Sequence, residues 1–256
     1  MTIVQAVILG IVQGITEFFP VSSSGHLVLI QSAFGIKESM VAFDVFLHLG
    51  TMLSVVIFFY KDILNLFRKD SKALKFLIIA TVPTFVIAFL MKKAAESYFS
   101  SPRFVGLFLI ITGIFLMISS LFAIYWKMMK KNRPLGAANA LTVGVAQGIS
   151  VLPGISRSGS TIGAALILGI NEADAIKFSF LLSLPVILGA NLLKAHEICG
   201  TLISAEMPAF IIGTVAAAAT GILAIKLLFG ILKNNLFFLF GIYCISIGAA
   251  AVILFR

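Results

Sequence analysis

Charge is scarce in this sequence. Of its 256 residues only 11% are Asp, Glu, Lys or Arg, against about 25% in an ordinary water-soluble domain, while 60% are apolar. A water-soluble globule is excluded. Cysteine is nearly absent as well: Cys199 and Cys244 are the only two, the second inside an apolar run, which leaves neither a disulfide framework nor a thiolate zinc cluster. The first residues lack a basic region followed by a small-residue cleavage site, so they read as mature sequence rather than a removed signal. Acidic residues number 10 against 19 basic ones, a net charge of +9. In a soluble protein that excess would suggest nucleic acid. Here the positive charge lies between apolar runs, so it reads as membrane topology and lipid headgroup contact, with no nucleic-acid partner.

What the sequence does contain is long apolar stretches. Uninterrupted ones run over about 40–60, 74–91, 104–126, 176–195, 208–229 and 236–255. Each is long enough to cross a hydrocarbon core of about 30 Å as a helix. Two further stretches, about 1–36 and 136–170, are apolar at both ends but broken in the middle by Pro, Gly, Ser and ionisable residues. They read as re-entrant helical hairpins. The expected fold is therefore an all-α polytopic integral membrane protein with six transmembrane helices and two re-entrant hairpins. Residues 61–75 carry five basic residues and 127–133 carry four, whereas 92–103 carry three. The positive-inside rule places the first two loops in the cytoplasm and both termini outside. The first hairpin then enters from the outer side, and Ser39 in the following loop lies outside too.

The two broken stretches resemble each other. Gln13-Gly14-Ile15 matches Gln147-Gly148-Ile149, Pro20 approximates Pro153, and Ser22-x-Ser24-Gly25 matches Ser156-x-Ser158-Gly159. One membrane domain, 1–256, thus divides into repeats of about 1–133 and 134–256, each a hairpin plus three spans. Three is odd, so the second repeat is inverted relative to the first. Such repeats bring broken helices together near the bilayer midplane, where helix N-termini point at anionic ligands.

Only three ionisable groups, Glu17, His26 and Arg157, sit in the middle of the hairpins. Burying such groups at membrane depth costs several kcal/mol, which marks each as a functional candidate. Gln13 and Glu17 are four apart and share a helix face, presenting two oxygens suited to Mg²⁺ or Ca²⁺. After Pro20, the run Ser22-Ser23-Ser24-Gly25-His26 reads as a hydroxyl-rich helix N-terminus, a ready anion site. Ser156, Ser158 and Thr161 repeat it, and Arg157 adds a guanidinium whose fork matches phosphate oxygens. Two facing phosphate cradles suggest a diphosphate. His26 lies three residues after Ser23, as its general base or as a nucleophile itself. Asp44 and His48, four apart near the outer end of the first span, could support the site from behind or form a structural hydrogen bond, and the structural reading is preferred. Glu172, Asp174, His196 and Glu197 read as solvated loop residues.

These motifs resemble the bacterial undecaprenyl-diphosphate phosphatase family associated with bacitracin resistance. Gln13 to Glu17 is similar to its (E/Q)-x-x-x-E element, running into F-x-P-V-S-S-S/T-G-H at Phe18 to His26, and Pro153 to Thr161 is similar to its P-G-x-S-R-S-G-x-T element. The resemblance covers the whole chain. It implies hydrolysis of a polyprenyl diphosphate to the monophosphate and inorganic phosphate, with a divalent cation, in the bacterial inner membrane. It further implies recycling of a lipid carrier for peptidoglycan and cell-wall synthesis, and so cell shape and bacitracin resistance. Gln13 stands where the family often has Glu, leaving Glu17 as the main charged cation ligand. The resemblance does not decide between Ser23 and His26 as nucleophile, and a homodimer is left open. The type-2 phosphatidic-acid phosphatases do not match, because Gly163 stands where their His would follow Ser156-Arg157. The rival class is a transporter or flippase of a polyprenyl phosphate, since broken helices in inverted repeats suit transport as well.

Overall fold

In hydrocarbon every backbone N–H and C=O must be bonded within its own segment, which leaves the helix as the element for a chain this apolar. The computed structural model describes residues 1–36, 40–68, 71–99, 101–194 and 206–255. Ser39, His196, Glu197 and Cys199 lie outside the described residues. In chain order the helices are α1 (Ile3–Phe18), α2 (Ser23–Ala33), α3 (Val41–Phe58), α4 (Tyr60–Arg68), α5 (Ser71–Phe99), α6 (Pro102–Met128), α7 (Ala137–Ile149), α8 (Arg157–Ile167), α9 (Glu172–Leu193), α10 (Met207–Lys233) and α11 (Phe237–Leu254). No strand occurs among the described residues. Six of these helices, α3, α5, α6, α9, α10 and α11, are long and apolar enough to cross a membrane, so the chain is a multi-span membrane protein.

Two details depart from the sequence reading. The span expected at 74–91 is a helix of 29 residues, because the helix continues beyond its apolar centre through Lys92, Lys93 and Glu96, which stay exposed. The stretch 61–75, read as a basic loop, contains α4. This short helix is two-sided: Leu66 is buried and Ile63 packs on the core, while Lys61 is exposed and Asp62 pairs with Lys177 of α9. A charged, amphipathic turn of this kind rests at a membrane boundary rather than crossing it.

The polar contacts sort the chain into two ends. At one end Lys127 Nζ donates to Asn235 Oδ1 at 2.9 Å and lies 4.0 Å from Glu172, near the Lys177–Asp62 pair. At the other the amino terminus donates to Glu206 at 2.7 Å. The basic loops 61–75 and 127–133 thus share an end, opposite the chain start.

Helices α1 and α7 have 16 and 13 residues, about 24 and 20 Å at 1.5 Å per residue, too short to span. Each is gripped instead by a long helix of the other half. α1 packs along α10 and α7 along α5, while α6 and α11 pack on each other. The grip depends on small residues, since without a hydrophobic force between helices close approach supplies the attraction. A Cβ on Gly14 would land on Thr220 Oγ1 and the Ala217 carbonyl, and one on Gly144 would land on the backbone of Ala80. Interhelical hydroxyl bonds add to this: Thr84 donates to the Gly144 carbonyl and Ser54 to that of Ala218, both at 2.9 Å. The short helices are thereby held at a fixed depth with their broken ends pointing inward.

Candidate active site

The break in the first hairpin begins at Pro20. Phe19 turns to extended backbone, φ −67° and ψ 141°, as the residue before a proline tends to. Ser22 then caps α2 with φ +67°, and its hydroxyl accepts the Gly25 N–H at 3.3 Å. Positive φ is uncommon for serine and costs on the order of 1–3 kcal/mol, so it persists only where the surroundings enforce it. In the second hairpin Gly154 supplies the turn with φ +97°, which glycine adopts freely. Ser156 caps α8, accepting the Gly159 N–H at 3.0 Å.

The two breaks are fastened to each other and to α6. The Ser158 hydroxyl donates to the Phe19 carbonyl at 3.1 Å. Thr112 of α6 donates to the Gly154 carbonyl at 2.9 Å and accepts the Ser156 N–H at 3.2 Å. Cys244 of α11 donates weakly to the Pro20 carbonyl at 3.7 Å. Thr112 and Cys244 were not anticipated from sequence; nothing in the sequence separates them from packing residues.

Glu17 stands at the centre, nearly fully buried. Arg157 Nη2 donates to its Oε1 at 2.5 Å. Its Oε2 accepts the Ser23 hydroxyl at 2.6 Å and Gln13 Nε2 at 3.0 Å, and faces His48 Nε2 at 3.8 Å. A buried carboxylate with a guanidinium on one oxygen and three polar neighbours on the other is a compensated charge rather than a stranded one. Two polar atoms of this cluster have no partner among the described residues: Arg157 Nη1 and Gln13 Oε1, both buried. An unpartnered buried donor and an unpartnered buried acceptor in one cluster are what an incoming anion and cation would each satisfy.

The other expected residues fall differently. His26 does not meet Ser23. Its Nδ1 lies 2.8 Å from the Ser22 carbonyl, which only accepts, so Nδ1 carries the proton; its Nε2 then accepts the Tyr243 hydroxyl at 2.8 Å, with the two rings stacked. Ser24 stands 3.4 Å from Ser22, half-buried at the mouth of the α2 cap. Thr161 is turned inward, bonding the Arg157 carbonyl at 2.9 Å and lying 2.6 Å from the Ser179 hydroxyl of α9. It supports the turn that carries Arg157 rather than facing Glu17. His48, read as half of a structural pair, does bond Asp44, through that residue's backbone carbonyl at 2.7 Å, and also reaches the site. The signal available in the sequence was an ionisable residue inside a span.

No group of three or more His, Cys, Asp or Glu side chains placed for a metal ion occurs among the described residues. A divalent cation would therefore rest on one carboxylate plus neutral donors. Glu17 supplies the carboxylate, and the unpartnered Gln13 Oε1 is a neutral oxygen of the same cluster, although the amide turns Nε2 rather than Oε1 to the carboxylate. Mg²⁺-type sites commonly use one or two carboxylates and complete the shell with water and substrate phosphate.

Comparison with known proteins agrees over nearly the full length. Residues 6–250 match the family model described as Bacitracin resistance protein BacA. Proteins named undecaprenyl-diphosphatase are similar throughout: that of Halothermothrix orenii is 43% identical over 258 residues, covering 99% of this chain and 98% of that protein. The one from Carboxydothermus hydrogenoformans is 43% identical over 98% of this chain and 96% of its own length, and the one from Methanosphaera stadtmanae 37% over 99% and 98%. The chain belongs to the bacitracin resistance protein BacA family.

Proposed function

We propose that the chain hydrolyses undecaprenyl diphosphate to undecaprenyl phosphate and inorganic phosphate at the Glu17–Arg157 cluster, recycling the lipid carrier for cell-wall synthesis. The observation that carries this reading is the double engagement of Arg157: one guanidinium nitrogen holds Glu17 while the buried Nη1 has no partner. Nη1 would take a phosphate oxygen without releasing the carboxylate. The backbone N–H groups at the starts of α2 and α8 supply further positive ends.

The nucleophile is Ser23. Its hydroxyl already donates to Glu17 at 2.6 Å, so the lone pairs of Oγ turn away from the carboxylate and toward the substrate. As Oγ bonds the terminal phosphorus, its proton passes to Glu17 and on to the departing undecaprenyl phosphate as the bridging P–O bond breaks. Water then attacks the phosphoserine and gives its proton to the Glu17 carboxylate, which returns it to Ser23 Oγ as the P–Oγ bond breaks and inorganic phosphate leaves. Arg157 stabilises the charge that builds on the phosphoryl oxygens in both steps. His26, with both ring nitrogens engaged, holds the turn that aims Ser23. A Mg²⁺ or Ca²⁺ ion held by Glu17 and Gln13 would neutralise the diphosphate when bound.

The two halves, about 1–133 and 134–256, act as inverted repeats that each deliver one broken helix to this point. With the basic loops 61–75 and 127–133 inside, the hairpin that carries Glu17, Ser23 and His26 enters from the outer face of the bacterial inner membrane. Transport alone would require binding groups without a hydroxyl seated on a carboxylate, so the Ser23–Glu17 pair favours hydrolysis. The test is phosphate release from undecaprenyl diphosphate by the purified protein and by Ser23→Ala, which loses turnover while still binding the lipid.

A further inference from the structure

We infer that His48 is a nitrogen ligand of the divalent cation at Glu17, making the site a mixed oxygen–nitrogen one that favours a first-row ion such as Mn²⁺ over Mg²⁺ or Ca²⁺. The inference rests on the reading above in taking that cation to serve the phosphatase site.

The ring orientation is the starting point. His48 Nδ1 lies 2.7 Å from the backbone carbonyl of Asp44. A carbonyl only accepts, so Nδ1 carries the hydrogen and the lone pair of the neutral ring is at Nε2. That lone pair faces Glu17 Oε2 at 3.8 Å. The separation exceeds a hydrogen bond, and positive charge between the two atoms, a proton on Nε2 or a bound cation, would hold them facing each other. Two ligand atoms at about 2.0–2.2 Å from one ion stand roughly 3–4.4 Å apart, depending on the angle at the metal. The observed spacing falls in that range.

The surroundings follow the pattern of a ligating histidine, which donates its other ring N–H to a carbonyl or carboxylate that fixes its orientation. The Asp44 that supplies this carbonyl is itself held, its Oδ1 accepting Gln31 Nε2 at 2.9 Å. The cation would share Oε2 with the Ser23 and Gln13 donors, while Arg157 occupies Oε1, so the two positive charges take opposite oxygens. Gln13 turns its Nε2 to Oε2 at 3.0 Å, and with the amide turned over its unpartnered Oε1 would provide a further oxygen. His48 is 29% exposed, which leaves an approach for the ion. His26 is not equivalent, since its two nitrogens are taken by Ser22 and Tyr243. One imidazole in an otherwise oxygen set raises affinity for first-row divalent metals relative to Mg²⁺ and Ca²⁺.

The experiment is pulsed electron paramagnetic resonance on the full chain, purified through a histidine-free tag and loaded with Mn²⁺, with phosphate release followed in parallel. The wild type is expected to show nitrogen modulation of the Mn²⁺ echo that changes when the protein is made with ¹⁵N-histidine. His48→Gln should lose the modulation and weaken Mn²⁺ binding by roughly 10–100-fold, with Mg²⁺ affinity altered less, while His26→Gln keeps the modulation. The isotope experiment needs no variant to fold. Mn²⁺ that binds without nitrogen modulation, or does not bind at all, while phosphate release persists would overturn the role of His48 and leave the phosphatase reading standing. Nitrogen modulation with no phosphate release under any cation would establish the ligand and overturn that reading instead.

Discussion

Arg157 and Glu17, 140 positions apart in the chain, are joined by a hydrogen bond of 2.5 Å between Nη2 and Oε1. Each residue sits at the break of a different hairpin, so the bond joins charge across the point where the two broken helices meet, beside the Ser158–Phe19 and Thr112–Gly154 bonds. A charged pair buried in a membrane protein needs close geometry and further hydrogen bonds to offset its desolvation. Ser23 and Gln13 provide those on the carboxylate side. On the guanidinium side Nη1 has no partner among the described residues.

Arg157→Lys tests the fork. An ammonium can hold Glu17 or a phosphate oxygen but does not span both in one plane. Turnover is expected to fall by roughly 10²–10³, with insertion and thermal unfolding in detergent little changed. Ser158→Ala, which removes the bond to the Phe19 carbonyl and the 3.3 Å contact with the Ser156 hydroxyl, should cost far less.

Tyr243→Phe separates the two candidate nucleophiles. The change removes the hydroxyl that His26 Nε2 accepts and frees that nitrogen. With Ser23 as nucleophile, the variant should keep phosphate release within about tenfold of wild type, whereas Ser23→Ala should abolish it. Retained turnover in Ser23→Ala together with loss in His26→Gln would assign the attack to His26.

Gly14→Ala addresses the seat of the site. The new methyl would meet Thr220 Oγ1 and the Ala217 backbone, which cannot retreat without separating α1 from α10. Overpacking of this kind costs about 1–3 kcal/mol, so the midpoint of thermal unfolding should drop and activity with it. Gly230→Ala, with nothing within 4 Å, should leave both unchanged.

Cysteine labelling reads the orientation. In a chain with Cys199 and Cys244 replaced by Ala, a cysteine at Ser97, in the exposed end of α5, should react with an impermeant thiol reagent on intact cells. One at Asn132, beyond the end of α6, should react only after permeabilisation. The reverse pattern would turn the protein over and place the site at the cytoplasmic face.

The six spans were legible because a run of about 20 apolar residues has one stable solution in lipid. The helix ends were not, since Lys92, Lys93 and Glu96 continue α5 where hydropathy falls. Of the site, Glu17, Ser23 and Arg157 could be read from isolated polar groups in apolar hairpins, and they do converge. Spacing along one helix misled for His26, whose partner is Tyr243, 217 positions away. Tertiary contacts of that separation leave no trace in a local pattern. His48 was visible as an ionisable group in a span, but its direction depends on the crossing of α3 and α1, which sequence spacing does not encode.

The most direct measurement is phosphate release from undecaprenyl diphosphate by the purified protein and by Glu17→Gln, each with divalent cation and with excess chelator. Wild type should turn over with the cation and fall to background in chelator, and Glu17→Gln should be inactive in both while Gln13→Glu remains active. Full turnover by Glu17→Gln in excess chelator would contradict the account, because the carboxylate that gathers Ser23, Arg157 and the cation would then have no part in the chemistry.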